Sequence, residues 1–373
     1  MADRVTVCVG TKRGLFLLES NHRRHDWKLR GPFLVGWQVY HAVLDTRGSP
    51  KIHVAGSSDV FGSTSFNGGS KNVKFGGAKK PPIPPKLMPG QLKVARQYGC
   101  NITTRIWHIE PGSQKERGVL YAGSAPAALF RSEDGGSTWE PVKGLLRHPT
   151  RKDWAPGFGG LCLHSIQVDP ENSQRIVIAI SAAGAFRTED GGRTWKSINR
   201  AVAKYVGAPK DSEVGSCVHK LLLHPAVPGR MYQQNHVGVY QSDDYGDTWY
   251  AIHTGLPSDF GFGLALHARR PEQCYVVPLD AGQYAFRATT GALRVYGWNG
   301  RTRKWSAQGK GLPSRGAHVN VLREGLFVDS LDPVGVYMGT GSGQVYCSAD
   351  EGRSWKAAAE NLPPVLSVSV GVV

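Results

Sequence analysis

Four histidines pose the first chemical question. His41, His108, His164 and His219 each stand at or near the start of a short apolar stretch with strand character. Imidazole is a common ligand for zinc, copper and iron, so histidines gathered on one axis could hold a divalent metal. Three protein ligands would leave an open position for water or substrate. Glu324 opens a later stretch of the same kind and could act as a fourth ligand or as a general base, with His219 as the other candidate catalytic group. Charges and rings suited to a polar or anionic small molecule lie at equivalent places: Tyr40, Arg105, Trp107, Lys220 and Arg323. Cationic side chains give such a ligand charge-assisted hydrogen bonds. The run Tyr232–Gly238 (Tyr-Gln-Gln-Asn-His-Val-Gly) is polar where a second strand is normally apolar. Buried amides need partners, which adds Asn235 and His236 to the ligand-binding candidates beside His164. The competing reading is structural: strand alternation turns several of these imidazoles into packing, bonded to neighbouring carbonyls.

The elements that must position these groups are strands. The frame Ser/Thr-x-Asp-x-Gly-x-Thr/Ser-Trp recurs at 131–139, 187–195, 241–249 and 347–355. The first three copies begin 56 and 54 residues apart, and a period of that size signals a repeat architecture. In the frame, Asp accepts hydrogen bonds from backbone N–H groups across a tight turn, Gly supplies positive φ, and Trp opens the next strand and buries its ring. Degraded frames stand at Ser20…Trp27, where His22 and Arg24 replace Asp and Gly, and at Trp298…Trp305. Seven units can be counted, and helical periodicity is essentially absent. The expectation is an all-β fold, a seven-bladed β-propeller with four-stranded blades forming a single domain over 1–373. The stretch Val365–Val373 should close the ring by pairing with the N-terminal blade, which removes exposed sheet edges.

The frame resembles the Asp-box, or BNR repeat, of sialidase-like β-propellers. Further stretches are similar to bacterial proteins labelled sialidase-like, glycosyl-hydrolase BNR or WD40/YVTN/BNR-like repeat proteins: Gly36–His41, Arg105–Pro111, His148–Thr150, Gly160–His164, Cys217–Lys220, Gln233–His236, Pro257–Gly261 and Asn361–Val365. The resemblance implies glycosidase ancestry without an established reaction. A sialidase needs an arginine triad, a Tyr nucleophile with a Glu partner, and an Asp acid. Only Arg105 and Arg323 stand at inner-strand openings and the early Arg-Ile-Pro motif is absent, so no sialidase set is expected. Asp-box propellers with basic surfaces also occur among photosystem assembly factors, which keeps an interaction scaffold as the reading from a different class.

In a propeller the first strand of each blade lines the tunnel, and the joints between blades open on one face. The long joints at about 70–104, 148–160, 201–215, 257–262 and 313–320 therefore cluster round one tunnel mouth, where binding is expected. The phase of the histidines decides what they can reach. His164 and His219 both stand five residues before a strand-ending residue, Asp169 and His224; His41 stands four before Asp45 and His108 two before Glu110. Those offsets share one inward phase only if strands carry bulges, which favours His164 and His219 as axial ligands over His41 and His108. His224 and His267 align with Asp45, Asp169 and Asp329 and read as turn residues of the opposite rim.

Forty-five basic against 29 acidic residues give a net charge of +16, which points to an anionic partner, including an acidic protein. Much of the excess lies in a Gly/Lys/Pro-rich insertion at 67–99, with Lys71, Lys74, Lys79, Lys80, Lys86, Lys93 and Arg96. No helix-turn-helix, zinc-finger or RNA-binding signature accompanies it, so specific nucleic-acid recognition is not expected. No apolar run reaches membrane-span length, and Met1–Cys8 enters a strand without a signal-peptide core, so the expectation is a cytoplasmic protein. The six cysteines contain no CxxC pair and read as buried free thiols.

Overall fold

The computed structural model describes residues 4–58, 62–69, 105–157, 159–204, 211–282 and 286–373. Seven antiparallel sheets succeed one another round a closed ring, each stepping from an inner to an outer strand. The inner strands are Gln38–Asp45, Arg105–Pro111, Leu163–Val168, Val218–Leu223, Gly261–Leu266, Leu326–Val328 and Val365–Val372, and each touches the next. The last belongs to the sheet that otherwise holds Arg4–Thr11, Gly14–Asn21 and Lys28–Phe33, with Val5 opposite Val372 and Val9 opposite Val368.

The expected count of seven four-stranded blades is corrected to six. The remaining sheet has three strands, Gln38–Asp45, Lys51–Ser58 and Gly62–Gly69. No copy of the turn frame comes after its third strand; the chain passes instead into the basic insertion, and no fourth strand is present among the described residues. The insertion's lysines lie outside the described residues, as does Cys100. The other five cysteines are buried and free.

The turn frame works as its composition dictates. Asp134 accepts from the backbone N–H groups of Ser137 and Thr138, both at 2.9 Å, and from the Thr138 hydroxyl at 2.7 Å. Gly135 and Gly136 take the positive φ the turn requires, at 72° and 92°. The same bond recurs from Thr194 to Asp190, Thr248 to Asp244 and Ser354 to Asp350. At the end of the frame Trp139, Trp249 and Trp355 are buried and Trp195 is partly buried, and the Trp249 indole donates to Ile198 O of the preceding blade at 2.8 Å. The degraded frame at the N-terminal end is reused as a clasp: the Arg24 guanidinium pairs with buried Asp329 at 2.9 Å in the last blade.

Blades approach closely where the second strand carries glycine. A Cβ on Gly10 would lie 2.5 Å from Val39 O, and one on Gly123 would lie 2.4 Å from Leu163 O. Both obstacles are backbone of the next inner strand and cannot swing aside. Gly123→Ala is therefore expected to destabilise by about 1–3 kcal/mol through overpacking. A urea midpoint equal to that of the unchanged protein would show that the blades yield.

Opposite the mouth, five aligned residues close equivalent turns. Asp45, Asp169 and Asp329 accept from the N–H two residues on, at 3.0, 2.9 and 3.0 Å. His224 and His267 do the same through Nδ1, at 3.2 and 3.1 Å. Short side chains with an acceptor in this position stabilise the turn locally.

Candidate functional site

The inward phase is set by bulges. Register slips between Val39 and His41, Ile106 and His108, Leu163 and Ser165, and Val218 and Lys220. One extra residue in each strand re-aims the side chains beyond it. Tyr40, Trp107, His164 and His219 are thus equivalent, and so are His41, His108, Ser165 and Lys220. Counting from the strand ends obscured this equivalence.

His41, His108 and Lys220 converge with Glu324, which reaches the tunnel from the segment before Leu326–Val328. Its backbone is fixed, because Val368 N donates to Glu324 O at 2.7 Å. Lys220 Nζ donates to Glu324 Oε2, and both side chains are buried. His108 Nδ1 lies 3.5 Å from Glu324 Oε1, its Nε2 3.0 Å from Glu110, and His41 Nε2 3.9 Å from Glu324 Oε2. The two imidazoles stack with centroids 4.0 Å apart. Burial alone would push the Glu324 carboxyl up, but the Lys220 ammonium and the His108 contact hold it well below the usual carboxylate range. Burial would likewise lower His108, yet its bonds to Glu110 and Glu324 raise it. Burial and the neighbouring His108 hold His41 well down, against the pull of Glu324.

Above this cluster opens a cavity of about 420 Å³ lined by Tyr40, Trp107, Cys217, His219, His236, Arg323 and Glu324, with Phe260, Phe262 and Phe286 completing an apolar wall. The Arg323 guanidinium stands 5.5 Å from the Trp107 ring and 5.8 Å from Phe262, and donates to His219 O at 3.0 Å. Tyr40 packs on Trp107 at 4.7 Å and donates its hydroxyl to Gln38 at 2.8 Å. The Trp107 indole N–H is buried without an acceptor among the described residues. The 257–262 joint supplies Phe260 and Phe262, and the 148–160 joint supplies Gly157 and Gly159.

Not every predicted residue arrives here. The Arg105 guanidinium covers the outer side of Tyr40 at 5.9 Å and lines a neighbouring cavity of about 570 Å³. Asn235 is buried and accepts from His236 N at 2.7 Å, closing a turn. Lys220 serves Glu324 below the cavity. His164 and His219 tie adjacent inner strands: His164 Nε2 bonds Val218 O at 2.9 Å and His219 Nδ1 bonds Gly261 O at 2.6 Å. The second nitrogen of His164 is engaged by Ser165 at 3.1 Å. Burial, reinforced by Arg323, drives His164 well down and His219 down to about 3.

The shared ion expected for His164 and His219 is therefore corrected. Among the described residues, donor atoms come within 4.8 Å of one another in two sets, His41–His108–Glu324 and Cys217–His219–His236, and His164 belongs to neither. Cys217 and the three phenylalanines were missed from sequence; Cys217-Val-His219 and Phe260-Gly-Phe262 were the available signals.

No protein-family model matches the chain. Among curated proteins, it is 25% identical over 134 residues to the oligoxyloglucan-reducing end-specific xyloglucanase of Emericella nidulans, a stretch covering 35% of this chain and 15% of that enzyme. Among solved structures, a GH74 enzyme of Niastella koreensis matches with a TM-score of 0.53 at 17% identity, over 94% of this chain and 46% of that one. Apo AztD of Citrobacter koseri matches with 0.55 at 8% identity, over 99% and 98%. This chain thus spans less than half the length of the xyloglucanase and of the GH74 enzyme. These likenesses establish architecture: the chain is an all-β β-propeller, similar in fold to GH74 enzymes.

Proposed function

We propose that this propeller, which we read as an Asp-box repeat protein, binds a polar or anionic small molecule, a sugar acid in the first instance, at the mouth of its tunnel. The observation that carries the reading is the cavity of about 420 Å³, walled by aromatic rings with one guanidinium and one carboxylate facing them. Apolar walls with a few placed polar groups are the usual make-up of a ligand pocket. Aromatic faces suit sugar rings, and Arg323 matches a carboxylate in a forked geometry. The name of the xyloglucanase relative favours the sugar class.

Binding is favoured over hydrolysis. Two carboxylates flank the bond in most glycosidases, one of them with a raised pKa. Among the described residues lining the cavity Glu324 is the sole carboxylate, and Lys220 holds it ionised. Glu324 and His219 would contribute as acceptors for sugar hydroxyls or as a base. The metal-dependent alternative at His41, His108 and Glu324 is disfavoured because the Lys220 ammonium already neutralises that carboxylate. The scaffold reading rests on the insertion.

Titration calorimetry with glucuronate, galacturonate and neutral xyloglucan oligosaccharides tests the proposal. The uronates should bind more tightly than neutral sugars of equal size. Trp107→Ala and Arg323→Met should each weaken the uronate by at least about tenfold, or about 1.4 kcal/mol. No binding to the unchanged protein, or equal binding by both variants, would remove the basis of the reading.

A further inference from the structure

Cys217, His219 and His236 stand together at the wall of the same cavity, on a rigid pair of strands. Cys217 and His219 flank the first residue of Val218–Leu223, and His236 comes directly after Met231–Asn235. The pairing of Val218 with Asn235 and the bond from His236 N to Cys217 O, 2.8 Å, bring the Cys217 and His236 backbones together. Phe260 lies 5.2 Å from the His219 ring and 5.0 Å from the His236 ring, and wedges both imidazoles in place.

We propose that these three residues form a zinc site whose fourth position faces the cavity. One edge of the set has the length the ion requires, and a donor nitrogen of His236 lies within 4.8 Å of the other two donor atoms. Zn–S of about 2.3 Å and Zn–N of about 2.05 Å at a tetrahedral angle require a sulfur-to-nitrogen edge of about 3.6 Å. Cys217 Sγ and His219 Nε2 are 3.6 Å apart. The His219 tautomer is fixed for this role: Nδ1–H donates to Gly261 O at 2.6 Å, so Nε2 presents its lone pair towards the sulfur. A carbonyl acceptor behind the distal nitrogen is the usual outer support of a metal-bound imidazole. Arg323 leaves the ring free, because its guanidinium bonds the backbone carbonyl of His219. One thiolate and two imidazoles suit zinc, and three protein ligands leave a place for water or a donor atom of a ligand. Loading converts the Cys217 thiol to a zinc-bound thiolate and releases one proton to solvent. The site stands independently of the sugar-acid reading, since its test uses metal alone.

The full chain, stripped with chelator, is titrated with Co²⁺ and then with Zn²⁺. One cobalt should bind per chain with a thiolate-to-cobalt charge-transfer band, and zinc should displace it. Cys217→Ser should abolish the band and weaken zinc by at least about tenfold, and His236→Ala should weaken it similarly. His41→Gln should leave both readings unchanged. Peptide mapping after alkylation adds a readout that needs no variant: zinc should protect Cys217 in the unchanged protein. Absence of stoichiometric binding, a band retained in Cys217→Ser, loss of binding in His41→Gln alone, or alkylation of Cys217 indifferent to zinc would each overturn the site.

Discussion

Lys220→Met should cost about 3–5 kcal/mol of stability, the loss expected when one partner of a buried ion pair is removed. The reason is the charge left behind. Glu324 is buried and bonded to Lys220, and among the described residues its other oxygen has only the 3.5 Å approach of His108. Without the ammonium the carboxylate must take up a proton or stand uncompensated beside His41 and His108. Glu324→Gln leaves the reverse problem, a buried ammonium without its counter-charge. The double variant Lys220→Met/Glu324→Gln removes both charges and should be less destabilised than the two single losses added together. Urea unfolding of the four proteins measures the coupling. Additive losses would mean that the pair makes no net contribution to holding the tunnel together.

Stability should be greatest above pH 6.5 and fall on both sides, through different histidines. His41 and His164 are held well below their ordinary value, chiefly by burial, so each is neutral in the folded state. Below about pH 6.5 the unfolded chain protonates them and the folded chain does not, so acid favours unfolding. Each group contributes about 1.4 kcal/mol per pH unit, and the two together about 3, until the pH reaches their depressed values. His219 adds in the same direction. His108 has the opposite sign: its value is raised, so its stabilisation is complete below about pH 6.5 and is lost as the pH rises through its folded value. Glu324, held low, adds a further loss once the unfolded chain begins to protonate near pH 4.3. The check is the unfolding free energy across pH 4–9 for the unchanged protein and for His164→Gln. The glutamine amide reaches the position of the imidazole Nε2 and keeps a donor for Val218 O but does not titrate, so the acid-side slope should fall by about 1.4 kcal/mol per pH unit. An unchanged slope would show that His164 is protonated in the folded chain.

Strands, turns and the ring were legible in the sequence because their causes are local. The Asp, Gly, Thr and Trp of each turn frame bond within nine residues of one another, so spacing alone announces them. The turn residues of the far rim were legible for the same reason. The placing of Tyr40, Trp107, His219, Arg323 and Glu324 at one mouth was legible too, since every inner strand must open on the same face, whereas His236 arrives there from the end of a second strand. What only the tertiary structure decided is which side chains meet. A bulge costs one residue and leaves no mark in the hydrophobic pattern, yet it turns His164 into a tie to Val218 O and sends His41 and His108 to Glu324. Lys220 and Glu324 find each other across the ring from separate blades, and Cys217 faces His236 through a strand pairing. The loss of one full blade is likewise invisible to the pattern of inner strands, because that blade keeps its first three strands and lacks only the turn frame that would start a fourth.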